Sequence, residues 1–141
     1  MSVFEDRTAA LEEGFNCLER GDLDAFMVIV EANSKPDCEF TSAIGAAMSD
    51  SVFRGFDGIR AWFAELLETV GEPRWKDRRY EQVSDDAFLF FASFEMKGAA
   101  SGIPLRTEIG QLFELEDGLF VRGISYTSHA EARRAAEALR A

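Results

Sequence analysis

The sequence predicts an α+β fold in which a strongly twisted antiparallel sheet curves around three N-terminal helices, with a short helix at the C-terminus. Three observations support this fold class. Up to about residue 70 the apolar residues recur mostly at helical spacing, whereas from Arg74 onward they alternate with a period of two. Ser128 and Glu131, three residues apart, then have the spacing of a capping box at the start of the last helix.

Length and composition favour one soluble domain over residues 1–141. The chain has 47% hydrophobic and 29% charged residues, and no apolar run approaches the roughly 20 residues that span a bilayer. Its first residues lack the pattern of a secretory signal, so we expect a cytoplasmic protein. The formal net charge of −11 disfavours binding to nucleic acid and to anionic membrane surfaces.

Metal and cofactor sites have few candidate ligands in this sequence. The chain has two cysteines, Cys17 and Cys38, and one histidine, His129. Each cysteine lies in an apolar pattern, which predicts buried thiols, and cytosolic chains rarely form disulfides. No loop has the alternating acidic residues typical of a calcium or magnesium site. We therefore expect no metal and no cofactor.

The first half of the chain predicts three helices. The first extends from about Ser2 to Arg20, where an Arg-Gly-Asp sequence ends it, and Asp22 is expected to cap the second. Asp57 precedes an apolar stripe at helical spacing and is expected to cap the third helix. The segment Gly71 to Pro73 is expected to end that helix.

A strand is predicted between the second and third helices. The sequence "CEFTS" alternates, which places Cys38, Phe40 and Ser42 on one face. The small and glycine-containing stretch from Ala43 to Gly55 then predicts a loop with a short strand around Val52 to Arg54.

Three or four antiparallel strands follow the third helix. The charged sequence "RWKDRRYEQV" predicts an exposed edge strand. The next two strands alternate, and their predicted inward residues are Phe88, Phe90, Ala92, Phe94 and Met96, then Ile103, Leu105, Thr107, Ile109, Gln111, Phe113 and Leu115. Asp117 and Gly118 predict a tight hairpin turn into the last strand, which extends to Thr127.

Four motifs, in this order, resemble the SnoaL-like polyketide cyclase group of the nuclear transport factor 2-like superfamily, which also includes ketosteroid isomerases and limonene epoxide hydrolases. They are "ERGDLDAF", "PDCEF", "FRGFDGIRAWFAELL" and "LFELEDGLFVRGISY", and together they cover nearly the whole chain. The resemblance implies a cystatin-like cone in which the curved sheet and the helices enclose a pocket. It also implies a homodimer formed through the outer face of the sheet.

The resemblance further implies where catalytic groups would lie. Many relatives have a general-base aspartate at the end of the first strand, where this chain has Ser42. Ketosteroid isomerases have a tyrosine on the first helix and a protonated aspartic acid on the penultimate strand, where this chain has Gly14 and Gln111. The acidic residue that hydrolases and cyclases carry on the last strand corresponds to Ser125. All these positions are neutral here, so no catalytic residue can be named.

The inward residues allow two interpretations each. Gln111 either lines a pocket or makes a structural hydrogen bond, because burying it unpaired would cost about 1–3 kcal/mol. Ser42 either faces the pocket or bonds its own backbone. Gly14 either leaves space open or receives a neighbouring aromatic ring. The inward aromatic side chains either line an apolar cavity or simply fill the core: Phe40, Trp62, Phe88, Phe90, Phe94 and Phe113.

Other polar residues are predicted to lie away from the pocket. His129 would be the first residue of the last helix, half exposed. Tyr126 should point away from Ser125 by alternation, in a structural role. Glu95 and Glu108 lie opposite their apolar neighbours, so we expect them in solvent or at a dimer interface.

Two functions remain open from the sequence. The favoured one is a protein that binds a mainly apolar small molecule in an internal pocket, through Gly14, Phe40, Ser42, Trp62, Gln111, Phe113 and Ser125. The alternative is an isomerase, cyclase or hydrolase acting on a polyketide-like or steroid-like substrate, with Gln111 and Ser125 orienting a carbonyl group. The fold alone does not decide between them, because folds of this kind host unrelated activities.

Overall fold

The computed structural model describes residues 2–42, 52–98 and 104–140. Within these ranges the chain forms, in order, α1 (Val3–Glu19), α2 (Leu23–Asn33), β1 (Ser34–Thr41), β2 (Val52–Arg54), α3 (Gly55–Thr69), β3 (Val70–Ser84), β4 (Ala87–Gly98), β5 (Pro104–Glu116), β6 (Leu119–Tyr126) and α4 (His129–Arg140). The loop predicted over residues 43–51 and the inward position predicted for Ile103 lie outside the described residues.

The strands form one curved, unclosed sheet in the order β2-β1-β6-β5-β4-β3. Helices α1, α2 and α3 pack with its inner face in one core, which confirms the predicted α+β fold. The sheet is mixed because β1 runs parallel to β6, while the other neighbouring pairs are antiparallel. A parallel pair needs a long connection, and here α3 and four strands lie between β1 and β6 in the chain.

Three of the predicted helix starts are confirmed by their hydrogen bonds. The side chains of Ser2, Asp22 and Ser128 each accept a bond of 3.1 Å from the backbone N–H three residues later. Each bond satisfies one of the amide groups that a helix leaves unpaired in its first turn.

The predicted start of the third helix is wrong. Helix α3 begins at Gly55, after an extended Arg54 that makes no side-chain capping bond, and Asp57 lies inside the first turn. The helix can begin early because Gly55 adopts φ 69°, which lets the chain turn directly out of the β1–β2 pair.

The predicted end of that helix is also different. The segment Gly71 to Pro73 belongs to strand β3, which begins at Val70. Glu72 has φ 52°, and the pairing of β3 with β4 shifts register between Gly71 and Arg74. The strand therefore absorbs these turn-forming residues in a bulge instead of ending at them.

The hairpin turn between β5 and β6 is confirmed. Asp117 and Gly118 have φ 54° and 78°, as a tight two-residue turn requires. The Lys35 ammonium lies 2.7 Å from the Asp117 carboxylate, and its hydrogen bond holds the pKa of Asp117 below the ordinary value. This contact connects the turn to the start of β1.

The outer face of the sheet is partly covered by α4. Leu89 and Phe91 of β4 and Leu112 of β5 form a second apolar cluster with Ala132 and Ala136 of this helix. The odd-numbered residues of β4 are therefore apolar where the helix lies on them, and polar beyond it.

Gly110 is the point of closest approach between α4 and the sheet. A Cβ atom at this position would lie 2.6 Å from the Ala132 Cβ and 3.2 Å from the Ser128 carbonyl oxygen. The absence of a side chain in the middle of β5 thus lets the helix dock.

Replacing Gly110 with alanine is expected to lower the free energy of unfolding by about 1–3 kcal/mol, because the new methyl group would force α4 away from the sheet. Urea denaturation followed by circular dichroism would measure the loss. The double variant Gly110→Ala/Ala132→Gly should recover part of the lost stability, because it removes the contact with the Ala132 methyl group but places a glycine inside α4. Unchanged stability in the single variant would contradict the close contact.

A partly buried polar network connects α1 to β3. The Arg78 guanidinium lies 3.1 Å from Glu12 and 2.8 Å from Glu19, and the Tyr80 hydroxyl donates to Glu12 Oε1 at 2.6 Å. Glu19 also accepts from the backbone N–H of Trp75 at 2.8 Å. Burial, and then the bond to Glu12, raise the pKa of Tyr80 far above its ordinary value.

This network predicts a loss of stability at alkaline pH. Above about pH 10 an unfolded tyrosine releases its proton, whereas folded Tyr80 keeps it, so the unfolded state binds fewer protons and stability falls as pH rises. Urea midpoints measured from pH 8 to pH 11 should therefore decline less in Tyr80→Phe than in the wild type. Tyr126→Phe should keep most of the decline, and identical curves for Tyr80→Phe and the wild type would refute this role.

Candidate functional site

Two hollows lie between the helices and the inner face of the sheet. The larger hollow has a volume of about 100 Å³ and is lined by Ala10, Leu11, Gly14, Phe15, Phe26, Ile29, Val30, Asn33, Ser34, Cys38, Glu39, Phe40, Ile59, Phe63, Gln111, Phe113, Phe120, Arg122 and Gly123. The smaller hollow, about 30 Å³, is lined by Phe40, Ser42, Trp62, Phe63, Leu66, Trp75, Phe94, Ile109, Gln111 and Ser125. Phe40, Phe63 and Gln111 line both.

The larger hollow has mainly apolar walls. Gly14 lies on its α1 side, and among the described residues outside its own helix a Cβ atom at Gly14 would meet only two ring carbons of Phe26 within 4 Å, both at 3.4 Å. Both interpretations of Gly14 thus apply in part, because an aromatic ring packs on one side of it and the hollow lies on another. Phe40 and Phe113 form the sheet side of the same hollow.

Strand pairing brings the three inward polar residues together at the smaller hollow. Gln111 of β5 is opposite Ser125 of β6 in the antiparallel register. In the parallel register of β1 and β6, Thr41 lies opposite Ile124. The next residues along the two segments, Ser42 and Ser125, therefore lie side by side. The side chains of Ser42, Gln111 and Ser125 all line this hollow, and Trp62 from α3 lies on its wall.

Gln111 carries an unsatisfied polar atom. Its side chain is 7% exposed, and Oε1 is buried with no hydrogen-bond partner among the described residues. Oε1 therefore does not make the structural hydrogen bond considered from the sequence. An acceptor left unpaired in this way costs about 1–3 kcal/mol of folding free energy. The last side-chain torsion of glutamine is soft, so a small rotation can turn Oε1 toward a donor in either hollow.

The described walls of the hollows have few ionisable groups, and the charged ones form ion pairs. Glu39 and Arg122 border the larger hollow, where Glu39 pairs with Arg54 at 3.1 Å and Arg122 pairs with Glu114 at 2.9 Å. Cys38 also lines this hollow, and burial raises the pKa of its thiol, which keeps it neutral. The two charged groups thus each have a partner of opposite charge, and the thiol carries no charge.

Sequence reasoning missed the part that Gly123 plays in the larger hollow. A Cβ atom there would lie 2.9 Å from Phe113 Cε1 and 3.3 Å from Phe40 Cδ2. The bare backbone of β6 thus makes room for the Phe113 ring beside the hollow. A glycine inside an alternating strand was the available signal, because such residues mark close approaches.

The residues expected outside the pocket lie on the outer side of the sheet. His129 is the first residue of α4, its ring nitrogen Nε2 is 3.1 Å from the Ala92 carbonyl oxygen, and its ring packs edge-on against Phe91. Tyr126 packs with the α4 cluster and points away from Ser125, as alternation predicts. The one imidazole of the chain therefore does not reach either hollow.

Two negative findings concern the described part of the chain. It contains no group of three or more histidine, cysteine, aspartate or glutamate side chains placed to hold a metal ion. In the same residues, no helix combines the length and the apolar character needed to cross a membrane.

Solved structures show the same fold at low sequence identity. One is a protein proposed to be an isomerase from Bacillus subtilis, with 15% identity and a TM-score of 0.75 over 89% of this chain and 88% of that chain. Another is a proposed polyketide cyclase from Xanthomonas campestris pv. campestris, with 14% identity and a TM-score of 0.73 over 92% and 96%. A third, from Catenulispora acidiphila, is a hypothetical protein with a ketosteroid isomerase-like fold in complex with trimethylamine, with 11% identity and a TM-score of 0.69 over 84% and 85%.

The sequence comparisons define the family. No curated protein matches the chain in sequence. A family model for the SnoaL-like domain matches residues 11–123, a range that includes Ser42, directly after β1, and Gln111 on β5, and that ends within β6 two residues before Ser125. The chain therefore belongs to the SnoaL-like domain family.

Proposed function

We propose that this protein binds a mainly apolar small molecule in the two hollows, and that it does so without the acid–base groups of its enzymatic relatives. The larger hollow is the observation on which this proposal rests. Protein interiors are normally filled to the density of organic crystals, yet this core leaves a space of about 100 Å³ with mainly apolar walls. A gap of this kind costs stability, and a ligand would recover the lost contacts.

The polar groups around the hollows support binding over chemistry. Ser42, Gln111 and Ser125 can donate or accept hydrogen bonds, but none of them takes up a proton near neutral pH. Glu39, the carboxylate among the lining residues, is engaged by Arg54. The trimethylamine complex of the Catenulispora acidiphila protein supports the idea that this fold accommodates small ligands.

Native mass spectrometry of the protein purified from the cytosol of its own host tests this function. We expect a complex whose extra mass belongs to one small, mainly apolar compound, which is recovered unchanged after denaturation. Recovery of a chemically converted compound after incubation with the protein would favour the alternative function, an isomerase, cyclase or hydrolase, over binding alone. Failure of both toluene and benzyl alcohol, two ring-sized probes, to bind the purified protein would overturn the proposal.

We further propose that the chain forms a homodimer through the outer face of the sheet. Beyond α4 this face carries a shallow groove with charges of both signs, from Arg74, Lys76, Glu95, Lys97 and Arg106. In a two-fold symmetric dimer this surface would face the same surface of the partner, so that positive groups of one protomer could lie against negative groups of the other.

Light scattering coupled to size-exclusion chromatography should give the mass of a dimer for the wild type. Lys76→Glu and Lys97→Glu introduced together should shift the protein toward the monomer, because they replace the cations paired with Glu95 and Glu72 by carboxylates and leave four acidic groups close together on this face. Arg133→Glu on α4, which breaks an exposed ion pair outside the groove, serves as the control for a change of charge. A wild-type monomer at about 100 μM would exclude this interface as a stable one.

A further inference from the structure

The smaller hollow has a polar lining that carries no charge. Ser42, Gln111 and Ser125 are 2%, 7% and 6% exposed, and the remaining described residues on its wall are apolar or aromatic. A carboxylate or ammonium group placed here would lose its water and meet no opposite charge on that wall. The lining therefore favours a neutral polar group.

The hydrogen-bonding capacity of the lining favours a group that donates. Gln111 Oε1 is an acceptor without a partner among the described residues. A ligand atom beside it is therefore favoured if it can donate a hydrogen bond. A hydroxyl group supplies one donor and can also accept from the serine hydroxyls of Ser42 or Ser125. A ketone or an ether can only accept, and it would leave Oε1 unpaired.

The volumes limit the size of such a ligand. A space needs about 10–15 Å³ to hold one water molecule, so the smaller hollow of about 30 Å³ has room for one hydroxyl and its carbon. The larger hollow of about 100 Å³ is somewhat smaller than the cavity of about 150 Å³ that holds benzene in an engineered protein. A body of about one ring is the best match.

We infer that the ligand is a neutral alcohol or phenol of about one ring, with its apolar body in the larger hollow and its hydroxyl group beside Ser42, Gln111 and Ser125. Because Gln111, Phe40 and Phe63 line both hollows, one molecule that extends across them passes directly beside the Gln111 amide. This inference rests on the proposed function and specifies the chemical class of its ligand.

A probe series with one body and different head groups tests the class. Toluene, benzyl alcohol, benzyl methyl ether, benzoate and benzylammonium would be titrated into the protein at pH 7 and followed by NMR. Benzyl alcohol should bind about tenfold more tightly than benzyl methyl ether, and about a hundredfold more tightly than benzoate or benzylammonium. Tighter binding of benzylammonium would overturn the inference and indicate a cation held by the aromatic rings.

A matched pair of variants assigns the effect to Gln111. The chain has a second glutamine, Gln82, which is exposed on β3 and donates to the Ser84 carbonyl oxygen. The ratio of the Kd of toluene to the Kd of benzyl alcohol should fall about tenfold in Gln111→Met and stay unchanged in Gln82→Met. This comparison removes the difference in hydration between the two probes, because each probe is compared with itself across the variants.

A second measurement keeps the test decisive if Gln111→Met does not fold. In the wild type, the side-chain carbonyl carbon of Gln111 should shift with benzyl alcohol and not with toluene. If toluene binds but neither the ratio nor this carbon responds to the hydroxyl group, the inference is overturned and the proposed function stands. If neither toluene nor benzyl alcohol binds, both are overturned.

Discussion

Replacing Phe90 with alanine is expected to lower the free energy of unfolding by about 3–5 kcal/mol, the range for removing a large aromatic side chain from a packed core. Phe90 is fully buried, its ring stacks on Phe15 at a centroid distance of 4.7 Å, and it lies 5.2 Å from the Tyr80 ring. Urea denaturation of the wild type and the variant would measure the loss. A domain of ordinary stability has about 5–15 kcal/mol in total, so the variant should lose between about a fifth and all of its stability.

The matched control is Phe53→Ala on the short strand β2. Phe53 is half-buried and stacks on Trp62 at 5.0 Å, so its removal takes away one ring contact without opening a sealed cavity. We expect a loss below about 2 kcal/mol, since a partly exposed site forfeits less buried area. Equal losses in the two variants would show that Phe90 does not lie in a close-packed region.

The interior of this protein is thus divided between a filled part and a hollow part. Phe90 pairs with Gln111 across β4 and β5, and it does not line either hollow. Phe40 and Phe113, which the sequence could not distinguish from it, line the larger hollow instead. Alternation gives the face of each strand residue, but whether an inward ring meets another ring depends on helix positions that no local pattern specifies.

Strand phase was the most predictable feature of the site. The inward positions of β5 are mostly apolar and its outward positions mostly polar, so the inward direction of Gln111 could be read from its neighbours Ile109 and Phe113. The meeting of Ser42 with Ser125 was less accessible, because it depends on the parallel pairing of β1 and β6. That pairing joins segments about eighty residues apart and leaves no mark in either sequence segment alone.

The errors at the third helix occur where strand pairing overrides the local preference of turn-forming residues. Gly55, Gly71 and Pro73 are turn-forming residues, and from the sequence they indicate boundaries. In the structure Gly55 starts a helix, while Gly71 and Pro73 lie within β3, because strand pairing and a bulge override the local preference. Tertiary pairing also explains Gly110, since its role depends on α4 docking from a distant part of the chain.

Replacing Gly14 with leucine is expected to weaken the binding of toluene by about a hundredfold or more. The new side chain would extend past the Phe26 ring into the larger hollow and occupy the space that the probe needs. Because this hollow has a volume of about 100 Å³, an isobutyl group would fill most of it. Titration of the wild type and the variant with toluene, followed by NMR, would measure the change.

Gly14→Ala is the matched control, because its methyl group makes only an ordinary contact with Phe26 at 3.4 Å and leaves most of the hollow open. We expect it to retain toluene binding within about threefold and to gain about 0.5–1 kcal/mol of stability from replacing a glycine inside a helix. Thermal unfolding of the leucine variant would verify that it remains folded. Wild-type affinity for toluene in a folded Gly14→Leu protein would show that the larger hollow is not the binding site, since a filled space cannot hold a ring.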